Sequence, residues 1–180
     1  MIYKNRMLLA SFVVPFIFFV AAIFYQYMFE MPPCFKCIQQ RSLLLLTGFL
    51  SLSGWFVISS ADPIYPRGYI FKSTVSSMFM VASSVAAYFA YRIASEHLAL
   101  NENELSFLFS VCESGSPFPE WLPQLDEWLP SLFAATGSCA GDIATAFNIE
   151  MPYFVMASAL FTGITAACFI TQTILTIKNR

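Results

Sequence analysis

Cys34 and Cys37 stand three positions apart in the stretch EMPPCFKCIQQR, residues 30–41. Pairs with this spacing carry out thiol–disulfide exchange or bind metal ions, and both activities need the thiolate form of cysteine. Most such pairs belong to soluble domains, yet this one lies between two long apolar runs. The first question is therefore what a dithiol in that position reacts with.

The chain has five cysteines in total, and the other three are Cys112, Cys139 and Cys168. Cys168 lies deep in an apolar run and is expected to be buried there and to behave as a small hydrophobic residue. The remaining four cysteines allow three disulfide pairings. The local pairing, Cys34 with Cys37 and Cys112 with Cys139, requires no long-range assumption.

A metal site and a purely structural role are the alternatives to redox chemistry. Structural zinc sites usually contain two close-spaced pairs, whereas Cys112 and Cys139 are isolated and far apart, so no metal is expected. A Cys112–Cys139 disulfide would stabilise the fold by about 3–4 kcal/mol in the chain-entropy model. A Cys34–Cys37 disulfide restrains almost nothing, so we interpret that pair as a redox couple. A non-enzymatic protein with structural disulfides remains an alternative.

The residues around Cys37 favour its thiolate. The pattern predicts Cys37 in the first turn of a helix, where the helix dipole stabilises negative charge. Arg41 follows four positions later and so lies over the same helical face, and Lys36 is adjacent. Arg41 is therefore a candidate for anchoring a negatively charged state at Cys37. Its alternative role is snorkelling to lipid headgroups.

Composition places these cysteines in a membrane protein. Hydrophobic residues make up 58% of the 180 residues and charged residues 11%, against about 45–50% and 25% in soluble domains. The excess forms charge-free runs that each hold the roughly 20 residues of a transmembrane helix and are too continuous for transmembrane strands. These runs are 7–29, 42–61, 73–91 and 151–177. The sequence predicts an all-α membrane protein, one domain over 1–180, forming a four-transmembrane-helix bundle with one long loop, 92–150.

Charge asymmetry predicts the orientation of this bundle. The first run is too long for a signal peptide and lacks a small-residue cleavage site, so it is interpreted as an anchor. Four spans put both termini on one side. Six of the nine basic residues fall on that side, namely Lys4, Arg6, Arg67, Lys72, Lys178 and Arg180. The positive-inside rule makes that side cytoplasmic. The redox cysteines and the loop 92–150 are then expected in the periplasm of a bacterium, where disulfides persist.

The bilayer itself suggests an oxidant. A dithiol at its edge can meet the loop cysteines on one side and lipid-soluble molecules on the other. A quinone is a two-electron oxidant of the hydrocarbon layer, and dithiol oxidation releases two electrons. Membrane quinone is therefore the acceptor expected from placement. The net charge of −2 offers no basic patch, so nucleic-acid binding is not expected.

The loop contains PEWLPQLDEWLP, residues 119–130. Its prolines exclude one continuous helix, and its Trp and Leu residues stand beside carboxylates. This composition predicts a short amphipathic piece at the headgroup level that holds the loop near the membrane.

Several motifs in order make the chain similar to the disulfide bond formation protein B (DsbB) family. They are PCFKCIQQR at 33–41, Glu96-His97 after the third span, FPEWLP at 118–123, LPSLFAATGSC at 129–139 and IEMP at 149–152. Together with the four-span plan and the two loop cysteines, they cover most of the chain. They are far more specific than the Cys-x-x-C spacing alone.

The resemblance implies a multi-pass thiol oxidoreductase of the bacterial inner membrane. It would reoxidise a periplasmic thioredoxin-like oxidant of the DsbA type and pass the electrons to ubiquinone or menaquinone, sustaining protein disulfide bond formation. Cys112 would form the mixed disulfide with the partner, and Cys139 would resolve onto Cys34. Cys37 would pass electrons to the quinone through a thiolate charge-transfer or adduct state.

Three further roles follow from the same resemblance. Arg41 would anchor the Cys37 state, and His97, the one histidine of the chain, would lie near the quinone oxygen. Met151 matches a family position at the quinone pocket. Lys36 departs from the family pattern because it adds a charge between the two cysteines. A vitamin-K-epoxide-reductase-like exchanger is the alternative enzyme, which FPEWLP and the two-cysteine loop disfavour.

Overall fold

The computed structural model describes residues 2–30, 33–60, 66–102, 125–135, 145–146 and 149–178. Four long helices account for most of this part of the chain: α1 (Ile2–Met28), α2 (Phe35–Ser59), α3 (Pro66–Glu102) and α6 (Met151–Lys178). Between α3 and α6 lie two single-turn helices, α4 (Leu125–Trp128) and α5 (Pro130–Phe133), and the paired two-residue strands β1 (Thr145–Ala146) and β2 (Ile149–Glu150).

The predicted four-helix membrane bundle is confirmed. The long helices are long and apolar enough to cross a bilayer over Arg6–Met28, Phe35–Ser59, Gly68–Ala99 and Met151–Lys178. Three helices extend beyond the predicted apolar runs. Helix α1 begins at Ile2, five residues before its run, and α3 spans Pro66–Glu102, past both ends of the run 73–91 and into 92–102, which the sequence assigned to the loop. Helix α2 begins at Phe35, before its run, as the prediction of Cys37 in its first turn requires. Backbone hydrogen bonds, not apolar side chains, continue a helix, so polar turns lengthen these helices.

Consecutive long helices run antiparallel, and α6 closes the bundle against α3 and α1. Between α2 and α3, the hydroxyl oxygens of Ser51 and Ser83 are 2.9 Å apart. Between α1 and α6, those of Ser11 and Thr165 are 2.6 Å apart. Lipid is as apolar as leucine, so small residues and hydroxyl pairs supply the helix–helix contacts in a bilayer. Large apolar side chains cover the outer surface instead.

One end of the bundle, here called the cysteine end, gathers the last turns of α1 and α3 and the first turns of α2 and α6. The segment 125–135 packs against this end. Phe133 is 3% exposed and belongs to one apolar cluster with Ile38 of α2. The Tyr27 hydroxyl donates to the Ser131 carbonyl oxygen at 3.2 Å. The segment is therefore fastened to the first turn of α2 and the last turn of α1.

The amphipathic piece predicted at 119–130 is described in its second half. Trp128 is 76% exposed and Leu129 47% exposed, while Phe133 turns into the bundle. Pro130 begins α5 and separates it from α4. This division between exposed and buried apolar side chains favours a position at the headgroup level. The first half of the motif lies outside the described residues.

Gly54 lies where α2 and α3 approach closely. An added β-carbon would be 3.3 Å from Phe79 Cβ and 3.4 Å from the Ser76 carbonyl oxygen. We expect Gly54→Leu to force the two helices apart and to lower the free energy of unfolding by about 1–3 kcal/mol, seen as a lower thermal midpoint in detergent. Gly163→Leu is the matched control, because nothing lies within 4 Å of a β-carbon at that position. Equal losses in both variants would contradict this packing.

Candidate redox site

Cys34 caps the start of α2 with its sulfur. Its backbone is extended, with φ −79° and ψ 163°, and its Sγ accepts the backbone N–H of Cys37 at 3.2 Å. A Ser, Thr, Asp or Asn oxygen usually has this role at a helix start. The Cys-x-x-C spacing thus matches the spacing of a helix cap, because it places the sulfur of the first cysteine against the backbone N–H of the second.

The two sulfurs differ in exposure and in proton affinity. Cys34 is 5% exposed, whereas Cys37 is half-buried, and both are free thiols in this structure. The pKa of the Cys34 thiol is raised, first because its S–H donates to the Cys37 sulfur and second because it is buried. Cys34 therefore holds its proton more tightly than an ordinary thiol does. Taken as a whole residue, Cys37 is the less buried of the two.

His97 reaches the cysteines from α3. Its Nε2 is 3.9 Å from Cys34 Sγ, and its Nδ1 is 3.3 Å from the side-chain nitrogen of Gln40. His97 and Gln40 are buried, at 3% and 4% exposure. One Sγ from each cysteine and one ring nitrogen of His97 all lie within 4.8 Å of one another. The last turn of α3 and the first turns of α2 thus form one compact cluster.

Arg41 lies one helical turn beyond Cys37 and is 8% exposed. Its guanidinium donates to the side-chain oxygen of Gln26 and, at 3.2 Å, to the carbonyl oxygen of Ala22, both on α1. Its positive charge is attracted to both sulfurs. The side chain thus turns inward to α1 and away from the outer surface of the bundle.

Lys36 has a partner on α3. Its Nζ is 3.1 Å from Glu96 Oε2, and Glu96 also accepts from Arg92 at 3.4 Å. These side chains are partly exposed, and surface ion pairs of this kind contribute little to stability. Their consequence is positional. They hold the Lys36 ammonium against α3 at Glu96, the residue immediately before His97.

Four of the predicted site residues come together at the cysteine end: Cys34, Cys37, Arg41 and His97. Met151 is half-buried as the first residue of α6, at the same end but on a helix that does not contribute to the compact cluster. Cys112 and Cys139 lie outside the described residues, so their roles and pairing stay predictions.

Cys168 lies in α6 as predicted, but its side chain is exposed. The expectation that it is buried is wrong. Ala166 and Phe169 take the inward positions on this turn, at 2% and 0% exposure, and helical geometry then turns Cys168 outward. It remains a small apolar side chain on the lipid-facing surface, away from the cluster at the cysteine end.

Gln26 and Gln40 were not among the predicted site residues. Gln26 is an amide inside the apolar run 7–29, and a polar side chain within a span needs a partner inside the protein. Gln40 follows Cys37 by three positions in the quoted motif, on the same helical face. Their polarity within apolar surroundings could have drawn attention to both residues. The sequence could not have identified their partners, which lie on other helices.

Together the bundle and the cluster define a multi-pass membrane protein with a close dithiol at the start of a membrane-crossing helix. Comparison of the sequence with known proteins also indicates a protein of disulfide chemistry. The family model described as "Disulfide bond formation protein DsbB" matches residues 4–170. Disulfide bond formation protein B of Pseudoalteromonas translucida is 34% identical over 158 residues, covering 84% of this chain and 83% of that protein.

Two further relatives carry the same name. The protein of Pseudoalteromonas atlantica is 35% identical over 136 residues, covering 75% of this chain and 70% of its own length. That of an Escherichia coli strain is 28% identical over 137 residues, covering 76% and 69%. The chain belongs to the disulfide bond formation protein B family.

Removing the acceptor of Arg41 tests the site geometry. We expect Gln26→Leu to lower the free energy of unfolding by about 1.5–3 kcal/mol, the range for hydrogen bonds to charged groups. Gln26→Glu keeps an oxygen acceptor and should retain most of the stability. Thermal unfolding of both variants in detergent measures the difference, and the contact is refuted if the leucine variant is as stable as the parent.

Proposed function

We propose that this protein is a quinone-dependent protein-disulfide oxidoreductase of the bacterial inner membrane. It reoxidises a periplasmic thioredoxin-like oxidant of the DsbA type and transfers the electrons to ubiquinone or menaquinone. The observation that carries the proposal is the position of Cys34 and Cys37, a dithiol at the first turn of a membrane-crossing helix with the buried Arg41 one turn beyond. Family membership supports disulfide chemistry. The DsbA-type electron donor and the quinone acceptor are what we propose in addition.

The residues of the cluster suit a quinone. A quinone supplies the capacity to accept two electrons and two protons, and it presents two carbonyl oxygens and an apolar tail. Arg41 and His97 are buried polar groups that can donate to an oxygen. Cys37 is the less buried residue of the pair and lies within reach of the charge of Arg41, which makes it the electron donor in this proposal.

In the proposed relay, electrons enter by thiol–disulfide exchange. A thiolate of the donor attacks a Cys112–Cys139 disulfide at Cys112 and releases Cys139. When Cys34 and Cys37 are joined as a disulfide, the Cys139 thiolate attacks that disulfide at Cys34 and releases Cys37. The second donor thiol then frees Cys112 and leaves oxidised, and Cys112 attacks Cys139 to release Cys34. The loop disulfide is regenerated, and the two electrons now reside on the Cys34–Cys37 dithiol.

The structure around α2 favours this direction of exchange. A thiol leaves a disulfide faster when its thiolate is more stable. Cys37 lies at a helix N-terminus within reach of the charge of Arg41, so it is the better leaving group. Phe133 fastens the segment 125–135 to the first turn of α2, and Cys139 follows Phe133 by six residues in the sequence.

Reoxidising a DsbA-type partner is demanding, because DsbA at about −120 mV is itself a strong oxidant. Thiol–disulfide exchange with it can therefore run uphill. For two electrons, about 30 mV corresponds to about 1.4 kcal/mol, so a modest uphill exchange is tolerable when the final step is strongly downhill. Rapid reduction of quinone supplies that pull.

Turnover with purified components tests the proposal. The protein in detergent receives quinone and a reduced thioredoxin-like donor, and quinone absorbance is followed. We expect Cys37→Ser to abolish quinone loss. Arg41→Ala should slow it by roughly tenfold or more, since one interaction with a charged group contributes about 1.5–3 kcal/mol.

Cys168→Ser is the matched control for these substitutions, because Cys168 is exposed on α6 and outside the cluster. It should turn over like the parent. Undiminished quinone reduction in Cys37→Ser would refute the proposed route, and so would a wild-type protein that reduces no quinone.

Labelling of introduced cysteines tests the proposed orientation. Ser95 is at the cysteine end, and Lys178 is an exposed residue at the opposite end. In a chain whose native cysteines are replaced, Ser95→Cys should react with a membrane-impermeant maleimide in cells whose outer membrane alone is permeabilised. Lys178→Cys should react only after the inner membrane is opened. The reverse pattern would place the redox cysteines in the cytoplasm.

A further inference from the structure

We propose that the reduced protein binds a thiolate-preferring divalent cation, Zn²⁺ in the first place, through Cys34, Cys37 and His97. Their three ligand atoms lie within 4.8 Å of one another, and Cys34 Sγ is 3.9 Å from His97 Nε2. Tetrahedral zinc, with bonds of about 2.3 Å to sulfur and 2.0–2.1 Å to nitrogen, separates such atoms by about 3.5–3.8 Å. Shifts of about 1 Å therefore suffice to close the ligand set.

The donor set is one that zinc prefers. Two thiolates and one imidazole leave the fourth position open to water. Two thiolates also neutralise a divalent cation, which matters at a site where Cys34 and His97 are 5% and 3% exposed. The nearby ammonium of Lys36 would repel a cation, but it is paired with the Glu96 carboxylate of α3.

Contacts that support the ligands are already in place. A histidine bound through Nε2 carries its proton on Nδ1, and metal-bound histidines usually donate that proton to a nearby oxygen. His97 Nδ1 is 3.3 Å from the side-chain amide of Gln40. A half-turn of this amide presents its oxygen in place of its nitrogen. Cys34 Sγ receives the backbone N–H of Cys37, which stabilises charge on that sulfur.

This site differs from the four-cysteine zinc site that the sequence disfavours. Its third ligand comes from α3, sixty residues beyond the dithiol, so cysteine spacing alone does not predict it. Binding transfers no electrons and releases the protons of whichever thiols were protonated. A Cys34–Cys37 disulfide has no thiolate to offer, so the cation and the disulfide exclude each other.

Cobalt titration tests the site. In full-length protein with Cys112, Cys139 and Cys168 replaced by serine, the remaining thiols are Cys34 and Cys37. The reduced protein, freed of reductant without oxygen, is titrated with Co²⁺. We expect a thiolate-to-cobalt charge-transfer absorption that saturates at one Co²⁺ per chain and is lost when Zn²⁺ is added. The same chain oxidised to the disulfide should give no band.

His97→Ala should weaken Co²⁺ binding by about tenfold or more. Ser95→Ala is the matched control, since it lies on the same turn of α3 outside the ligand set, and it should bind like the parent. X-ray absorption of the Zn²⁺-loaded parent should show two sulfurs and one imidazole, a result independent of any substitution. Absence of the charge-transfer band, unchanged affinity in His97→Ala, or zinc without imidazole would each overturn the site.

One consequence rests on the proposed function. In the wild-type protein, Zn²⁺ should hold the dithiol reduced and slow quinone reduction, and a chelator should restore the rate. Cation binding without an effect on the rate would leave the metal site standing and count against the proposed electron route. Normal turnover in a protein that binds no Co²⁺ would overturn the metal site alone.

Discussion

The rest of the site depends on one interaction, the contact of the buried Arg41 guanidinium of α2 with polar groups of α1. Arg41 is 8% exposed, and removing a guanidinium from water costs several kcal/mol unless it is hydrogen-bonded and paired. Gln26 and the Ala22 carbonyl supply the hydrogen bonds. The charge of Arg41 is also attracted to the sulfurs of the dithiol. The same contacts thus hold α1 on α2 and favour the thiolate of Cys37.

Two consecutive residues of α3 complete the arrangement from the other side. Glu96 holds Lys36 at the surface, and His97 contacts Cys34 inside. The short turn that carries both cysteines is therefore fixed by side chains of a second helix, and its sulfurs are pre-positioned for chemistry. The same pre-positioning would serve both proposals, because a disulfide would form when electrons leave and a cation would bind when they remain.

Much of the fold could be predicted from the sequence, because a bilayer accepts few spanning structures and long apolar runs identify helices directly. The ends of the helices could be predicted only in part. Cys37 was predicted in the first turn of α2, which begins at Phe35, but the extension of α3 through 92–102 was not predicted. The exposure of Cys168 was also missed, since the rotation of α6 depends on its neighbours rather than on its composition.

The site divides in a similar way. Spacing within one helix predicted that Cys37 and Arg41 share a face, because four positions make about one helical turn. Contacts between helices depend on packing and register, which no local pattern contains. Three such contacts were found only in the structure: Arg41 with Gln26, His97 with Gln40, and Lys36 with Glu96.

The central claim is that the Cys34–Cys37 dithiol passes its electrons to quinone, and a single turnover without donor tests it most directly. Protein in which these are the only two cysteines is reduced, freed of reductant and mixed with quinone in the absence of oxygen. Quinol formed and thiols lost are then counted. We expect one quinol per chain with the loss of both thiols. No quinol, or quinol formed while both thiols remain, would contradict it.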